Sequence, residues 1–316
     1  MSFQKVFVRI ICFNVVVLML SAAAYSQAAN TTPKPVATGN NLYCAGYIQS
    51  SSISTGNHII GAQNEADGWN YSQNDFVYIN MGRDKGVSVG DRFSVVRPRG
   101  AVKSQWSKKT DLGFLVQEVG ALEVVNVKDN VSVARVKVSC DSFHFGDLVH
   151  LSEARTSPIY DPGEPMDIFG DPSGKATGRI LMSRHGAEML TRDYIAYVDL
   201  GADDNVRVGD RLTVFRPLAK GNLTLLPDRE SVSSRDYGFE SEAYKGGKFS
   251  NQSARKSGDK ANGQEVRTRD VRNARPASLR KVVGEAVVLN VKEHTATVVI
   301  TRTAQEIHTG DWVEIK

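Results

Sequence analysis

Three cysteines in 316 residues, at positions 12, 44 and 140, are too few for a disulfide-dense mini-scaffold. The net charge of only +4 excludes a dedicated nucleic-acid binder unless the charge is concentrated in one place. Long apolar runs are also missing. The longest, Ile10 to Leu20, falls short of the ~20 residues that span a bilayer. No stretch holds a long 3.6-residue apolar period, and only His185 to Arg192 leaves room for a helical turn or two. No nucleophile elbow and no zinc-protease helix motif occur, so the pattern reads as a non-enzyme. What is present is a 41% hydrophobic chain, which excludes wholesale disorder, with a length suited to two domains of ~100–200 residues.

Residues 1–28 read as an export signal: Lys5 and Arg9, then the apolar run, then the small residues Ser21 to Ala24 and a cleavage site at Ser26-Gln27-Ala28. No cysteine follows the run in Ser21 to Ala29, so no lipid attachment is expected. The mature chain is expected in the periplasm or the medium, with 29–41 a flexible leader.

One unit occurs twice. Tyr78 to Pro98 recurs as Tyr197 to Pro217 at a shift of 119, with 11 of 21 residues identical. A second block recurs at a shift of 164: Val119-Gly120 with Val283-Gly284, Asn126-Val127-Lys128 with Asn290-Val291-Lys292, and Gly146-Asp147 with Gly310-Asp311. The difference of 45 positions is an insertion in the second unit, and the pattern implies an internal duplication. Period-2 alternation through Val87, Val89, Phe93 and Val95, broken at Gly90-Asp91, predicts a hairpin. The same pattern continues through Val131, Val133 and Val136, and through Thr295, Thr297 and Val299. Structural turns are predicted at Gly90-Asp91, Gly209-Asp210, Gly146-Asp147 and Gly310-Asp311, where glycine supplies the left-handed backbone and aspartate binds nearby amides. Arg97-Pro98 and Arg216-Pro217 are expected to end a strand in each unit, because proline stops sheet pairing. The fold class is all-β: two tandem small barrels, SH3-like in scale, with a basic insertion in the second.

The run G-x-x-x-G-V-x-V-G-D-x-F-x-V (Gly82 to Val95), followed by V-G-x-x-x-V and G-D-x-V, resembles the C-terminal domain of flagellar assembly protein T. The resemblance spans about 76–151 and, with the insertion skipped, 194–316. It implies a non-catalytic module of the bacterial envelope. Asn205 stands where the first unit has Gly86, and asparagine tolerates the same left-handed backbone. The rest of that flagellar protein has no counterpart here.

The expected domains are 42–151 for module 1, a Pro/Gly-rich linker at 152–177 with a short strand near Met166 to Phe169, and 178–316 for module 2. The insertion, 219–281, carries 14 Lys and Arg against 8 Asp and Glu and lacks Ile, Met, Trp and Cys, a composition of disorder. Two readings stand for it: a solvated loop, or an electrostatic tether to an anionic envelope polymer or lipid surface. The glycine-rich Gly170 to Thr177 fails as a phosphate loop, since Ala176 stands where a magnesium-binding hydroxyl belongs. His144 and His150 read as surface histidines, and no metal or cofactor site is expected. Trp69, Trp106 and Trp312 either line a glycan groove or belong to core and rim. Three functions follow: an envelope-binding or structural module, a protein–protein subunit of a flagellum-like or other envelope assembly, and, least supported, a hydrolase.

Cys44 and Cys140 are the cysteines left after export, and a disulfide between them is expected. Placing Gly46-Tyr47-Ile48 opposite Gly178-Arg179-Ile180 puts small residues, Ala176 and Ala304, where the first unit has its cysteines. Two buried free thiols are the alternative.

Overall fold

The computed structural model describes residues 34–65, 68, 70–152, 156–160, 165–218, 276 and 278–316. The proposed signal segment, Trp69 and nearly all of the insertion lie outside the described residues. Two compact units result. In the first, strand β1 (Lys34–Pro35) pairs antiparallel with β9 (Ile159–Tyr160). The second unit, Val36–Pro158 with Met166–Lys316, holds everything that follows.

Valine-rich, β-branched stretches with turn residues between them build two barrels. Barrel 1 orders its strands β3 (Ile59–Ala62), β4 (Phe76–Ile79), β7 (Ser132–Ser139), β6 (Phe114–Val127), β5 (Arg92–Ala101) and β8 (Leu148–Leu151). It curls back on itself where Ile59 N–H donates to Asp147 and Gly146 N–H donates to Ile59. Barrel 2 is closed, in the order β10 (Thr177–Ser183), β12 (Ile195–Val198), β15 (Ala296–Thr303), β14 (Arg280–Val291), β13 (Arg211–Pro217) and β17 (Trp312–Ile315). The order of strands and their register agree. Ile79 pairs with Ser132 as Val198 pairs with Ala296, and bulges fall after Val95 and Val214 and again after Val124 and Val288.

The two cores match position by position: Ile59 with Ile180, Val77 with Ala196, Phe93 with Leu212, Leu122 with Ala286, Phe143 with Ile307 and Val149 with Val313. Glycine is required at equivalent close approaches. A Cβ on Gly82 would strike the Lys128 and Asp129 carbonyls of the β6–β7 turn, and one on Gly201 the Glu293 carbonyl of the β14–β15 turn.

Several expectations need correction. Val87 and Val89 form no hairpin arm. Residues Arg83–Lys85 make a 3-10 turn whose amides dock on the β6–β7 turn, with Arg83 N–H on Lys128 and Asp84 N–H on Asp129. Val87 then drops into the core while Val89 is exposed. Pro98 does not end its strand, because a bulge between Pro98 and Gly100 lets β5 run on to Ala101. Met166 to Phe169 form a turn, since Asp167 accepts from Phe169 N–H and Gly170 N–H, and the linker strand lies instead at Ile159–Tyr160. Within the leader, Lys34–Pro35 is a strand and Asn40–Tyr43 a short helix, α1. His185 to Arg192 holds no helix; it holds β11 (Met189–Leu190), paired with β16 (Ile307–His308). At the insertion's end, Arg280 and Lys281 belong to β14. The partner of Ile180 is Ile59, not Ile48. Ile59 and Ile180 make the same bonds to Asp147 and Asp311, whereas Tyr47 to Gln49 form an extra strand, β2 (Tyr47–Gln49), outside the barrel on β6.

Candidate functional site

The turns come first, because they position what surrounds them. Gly90, Gly146, Gly209 and Gly310 have φ between 87° and 93°, which side chains with a Cβ rarely adopt. In each turn the following aspartate accepts the amide three residues back: Asp91 from Ser88, Asp147 from His144, Asp210 from Arg207 and Asp311 from His308, all at 2.8 Å. His308 therefore stands in the place of His144.

Two of these aspartates carry a second task. Arg97 grips Asp147 with Nε to Oδ1 at 2.7 Å and Nη2 to Oδ2 at 2.8 Å, and Arg216 grips Asp311 at the same distances. The same guanidiniums donate to Ser142 and Glu306 carbonyls. A planar fork on a carboxylate binds the closing turn to the β5 or β13 strand. The bond to Asp147 raises the Arg97 pKa above its ordinary value, against opposing burial. Repetition of arginine and aspartate in both units was the available signal, but nothing in the spacing paired residues 50 and 95 positions apart.

The upper half of β5 and β6, with β2 beside it, forms an arm that lies on the outside of barrel 2. Ile48, Val102, Leu112, Leu181 and Tyr197 make a buried apolar cluster there, with Leu115 and Met182 packed on it. The chain from Ala45 to Ile48 turns its carbonyls to barrel 2. Tyr197 Oη donates to Ala45 at 2.9 Å, Thr297 Oγ1 to Gly46 at 2.9 Å and Thr295 Oγ1 to Ile48 at 2.7 Å. Gly46 is at φ 68°, and a Cβ there would meet Tyr197 Oη at 2.7 Å. Burial drives the Tyr197 pKa upward, only partly offset by the nearby Arg184 cation. At the arm's tip, Lys109 Nζ reaches Asp204 at 2.6 Å and Asp203 at 3.2 Å, and His294 Nδ1 lies 2.9 Å from Asp203.

Beside this joint is a cleft of about 590 Å³ that both barrels line. One wall is α1 and β2, with Leu42, Ala45, Tyr47 and Gln49. Barrel 1 adds Val96, Glu118 and His150, and barrel 2 adds Val208, Leu289, Asn290 and Lys292. Glu118 is buried and accepts Gly46 N–H at 3.0 Å, and the Lys292 ammonium sits 4.4 Å over the Tyr47 ring. His150 is half-buried rather than fully exposed. Burial lowers its pKa, and its Nε2 is buried with no hydrogen-bond partner among the described residues. The lining mixes apolar side chains, Val96, Val208 and Leu289 among them, with hydroxyl, amide and charged groups, as surfaces that take a polypeptide segment do.

The described tryptophans, Trp106 and Trp312, do not line this cleft. Trp312 is stacked between Arg179, 3.6 Å from its ring, and Phe215, while Trp106 packs on the Gly310 turn. The disulfide is present, with Cys44 and Cys140 Cα atoms 5.5 Å apart. Among the described residues no group of three or more His, Cys, Asp or Glu could hold a metal ion, and no helix is long and apolar enough to cross a membrane.

By architecture this is an all-β protein of two linked small barrels whose shared surface is a joint and a cleft. Residues 74–150, from just before β4 nearly to the end of β8, match the model of Flagellar assembly protein T, C-terminal domain. A search of curated proteins finds no significant match.

Proposed function

We propose that the chain is a non-catalytic, exported subunit of an envelope assembly, flagellar or flagellum-like, that works by holding another protein in the cleft between its barrels. The observation that carries this reading is the match of residues 74–150 to a flagellar assembly domain, on a barrel that lines part of the cleft. Both barrels descend from one duplicated unit in this reading, which accounts for the shared register. Export rests on the N-terminal sequence, Lys5 to Ala28. Of the functions set out from sequence, a protein–protein role is favoured over polymer binding. The tether idea depends on 219–281, and the cleft mixes apolar side chains from both barrels with polar groups and charges of both signs rather than presenting a basic surface.

A photo-crosslinking residue placed at Leu151 or Val208, both exposed at the cleft, tests the proposal in cells of the source organism. The expected product is one protein adduct, identified by mass spectrometry as a component of an envelope assembly and lost in a Leu289→Asp variant. Adducts confined to glycan or lipid would sink the reading, as would equal capture by the variant.

A further inference from the structure

The position of the Cys44–Cys140 bond gives it a task beyond barrel 1. Cys140 follows β7 and is fixed to barrel 1 through its N–H on Val119. Cys44 belongs to no barrel strand. It sits between α1 and β2, at the head of Ala45 to Ile48, whose carbonyls receive Tyr197, Thr297 and Thr295 from barrel 2. This segment also supplies Ile48, buried in the cluster under the arm, and Ala45, Tyr47 and Gln49 of the cleft wall. Besides the disulfide, three residues of β2 pairing, the Gly46–Glu118 bond and the packing of Tyr47 on Val96, Val116 and Leu148 hold it to barrel 1. A helix of four residues and a strand of three are each too short to persist alone.

We propose that the disulfide is a covalent lock on the joint between the barrels, and hence on one wall of the cleft, rather than a staple within barrel 1. Cys44 is buried, but Cys140 is partly exposed, so a dithiol reductant can reach it. A dithiol thiolate attacks the Cys140 sulfur and Cys44 leaves, taking up a proton. The second dithiol sulfur then displaces Cys140 as a thiol, leaving two cysteine thiols and an oxidised dithiol. Residues 44–49 are then free to leave β6 and Thr295, and the cleft loses its wall. This mechanism holds whichever partner occupies the cleft.

Backbone 15N relaxation on the full chain tests the lock in three states: oxidised, reduced by dithiothreitol, and as Cys44→Ser/Cys140→Ser. The oxidised protein is expected to tumble as one body. In the other two states the order parameters of residues 45–49 should fall, while the packing of Val102 and Leu112 on Leu181 and the Lys109–Asp204 pair still hold the barrels together. Resonances of Gly46 to Gln49 and Thr295 to Thr297 should shift, while core amides of Val119, Val136 and Val298 stay in place. Unchanged order parameters at Gly46 to Gln49 after reduction overturn the lock. So does loss of the Val119 and Val136 resonances, which would make the bond a barrel 1 staple. Dithiothreitol acts on protein that has already folded, so the test survives poor folding of the double variant.

Discussion

Barrel 1 and barrel 2 share strand order, register and turns, yet their surfaces differ. Strands β4 and β7 of barrel 1 alternate between buried and half-exposed positions, as a barrel in water should. The equivalent β12 is buried at all four residues and β15 at its first six. The outward positions decide this. Tyr78 is half-exposed and Tyr197 buried; Val131 and Val133 are half-exposed, while Thr295 and Thr297 are buried. The arm covers them only in barrel 2. The covered positions carry hydroxyls because the covering element is backbone, whose carbonyls need donors. Where water covers the face, valine serves. The outside of a repeated fold is thus set by its neighbour, and its inside by itself. Even the inside compensates locally. The cross-strand pair Leu122 and Val136 becomes Ala286 and Ile300, moving bulk from one strand to the next while keeping the core filled.

The arginine–aspartate pairs provide the largest expected contrast. Asp147→Asn leaves Arg97, 17% exposed, with Asp141 at 3.5 Å as its remaining counter-charge, and should cost roughly 2–3 kcal/mol, toward the range for breaking a buried pair. Asp311→Asn should cost less, roughly 1–2 kcal/mol, because Arg216 is 31% exposed and water screens it. Urea unfolding of each variant measures the difference. Equal losses would mean that the turn amide, not the guanidinium, dominates at this aspartate.

Acid separates the barrels next. His150 and Glu314 occupy the same position, one in each barrel. Burial alone lowers the His150 pKa, so the folded state disfavours its proton. Stability from this source is complete above the ordinary histidine value of about 6.5 and declines as pH falls below it. At Glu314 burial opposes ionisation, but hydrogen bonds from Arg280 and Ser173 outweigh it and lower the pKa. Its contribution is therefore present above about 4.3 and is lost as pH falls through the depressed folded value. Acid titration followed by unfolding should show barrel 1 weakening first and barrel 2 later. His150→Gln should remove the early phase and Glu314→Gln the late one. An early phase that persists in His150→Gln would move its origin elsewhere.

What could be read from sequence followed from local rules. The Gly-Asp motifs mark turns because a left-handed backbone and an amide-binding carboxylate are needed within two residues. Val119 to Val138 alternate because one face is core, and loss of Cys12 with the expected signal would leave Cys44 and Cys140 as the available pair. Less visible was β3, where Ile59-Ile60-Gly61-Ala62 offers no clear period and its partners come from β4 and the Asp147 turn. The joint was not visible at all. Nothing local in Thr295 or Thr297 distinguishes a hydroxyl facing water from one facing the carbonyl of Ile48 or Gly46, almost 250 positions away. The cleft inherits this blindness, since α1, β2 and β14 meet only through the joint.

The smallest contrast is at Gly86 and Asn205. Each closes a 3-10 turn with a left-handed backbone, φ 74° at Gly86 and 63° at Asn205, and each donates its N–H to the carbonyl three residues back. A Cβ on Gly86 would meet nothing, so the space does not demand glycine; only the dihedral does. Asparagine tolerates that dihedral better than other residues with a Cβ, because its short amide bonds to nearby backbone. Gly86→Asn and Asn205→Gly should each change stability by less than about 0.5 kcal/mol, as surface changes without a lost contact do. Gly86→Val should cost more, roughly 1–2 kcal/mol, since a β-branched side chain has no such relief in the left-handed region. Thermal unfolding of the three variants measures the ranking. A large loss in Gly86→Asn with none in Asn205→Gly would show that the two turns, alike in backbone, are held by different surroundings.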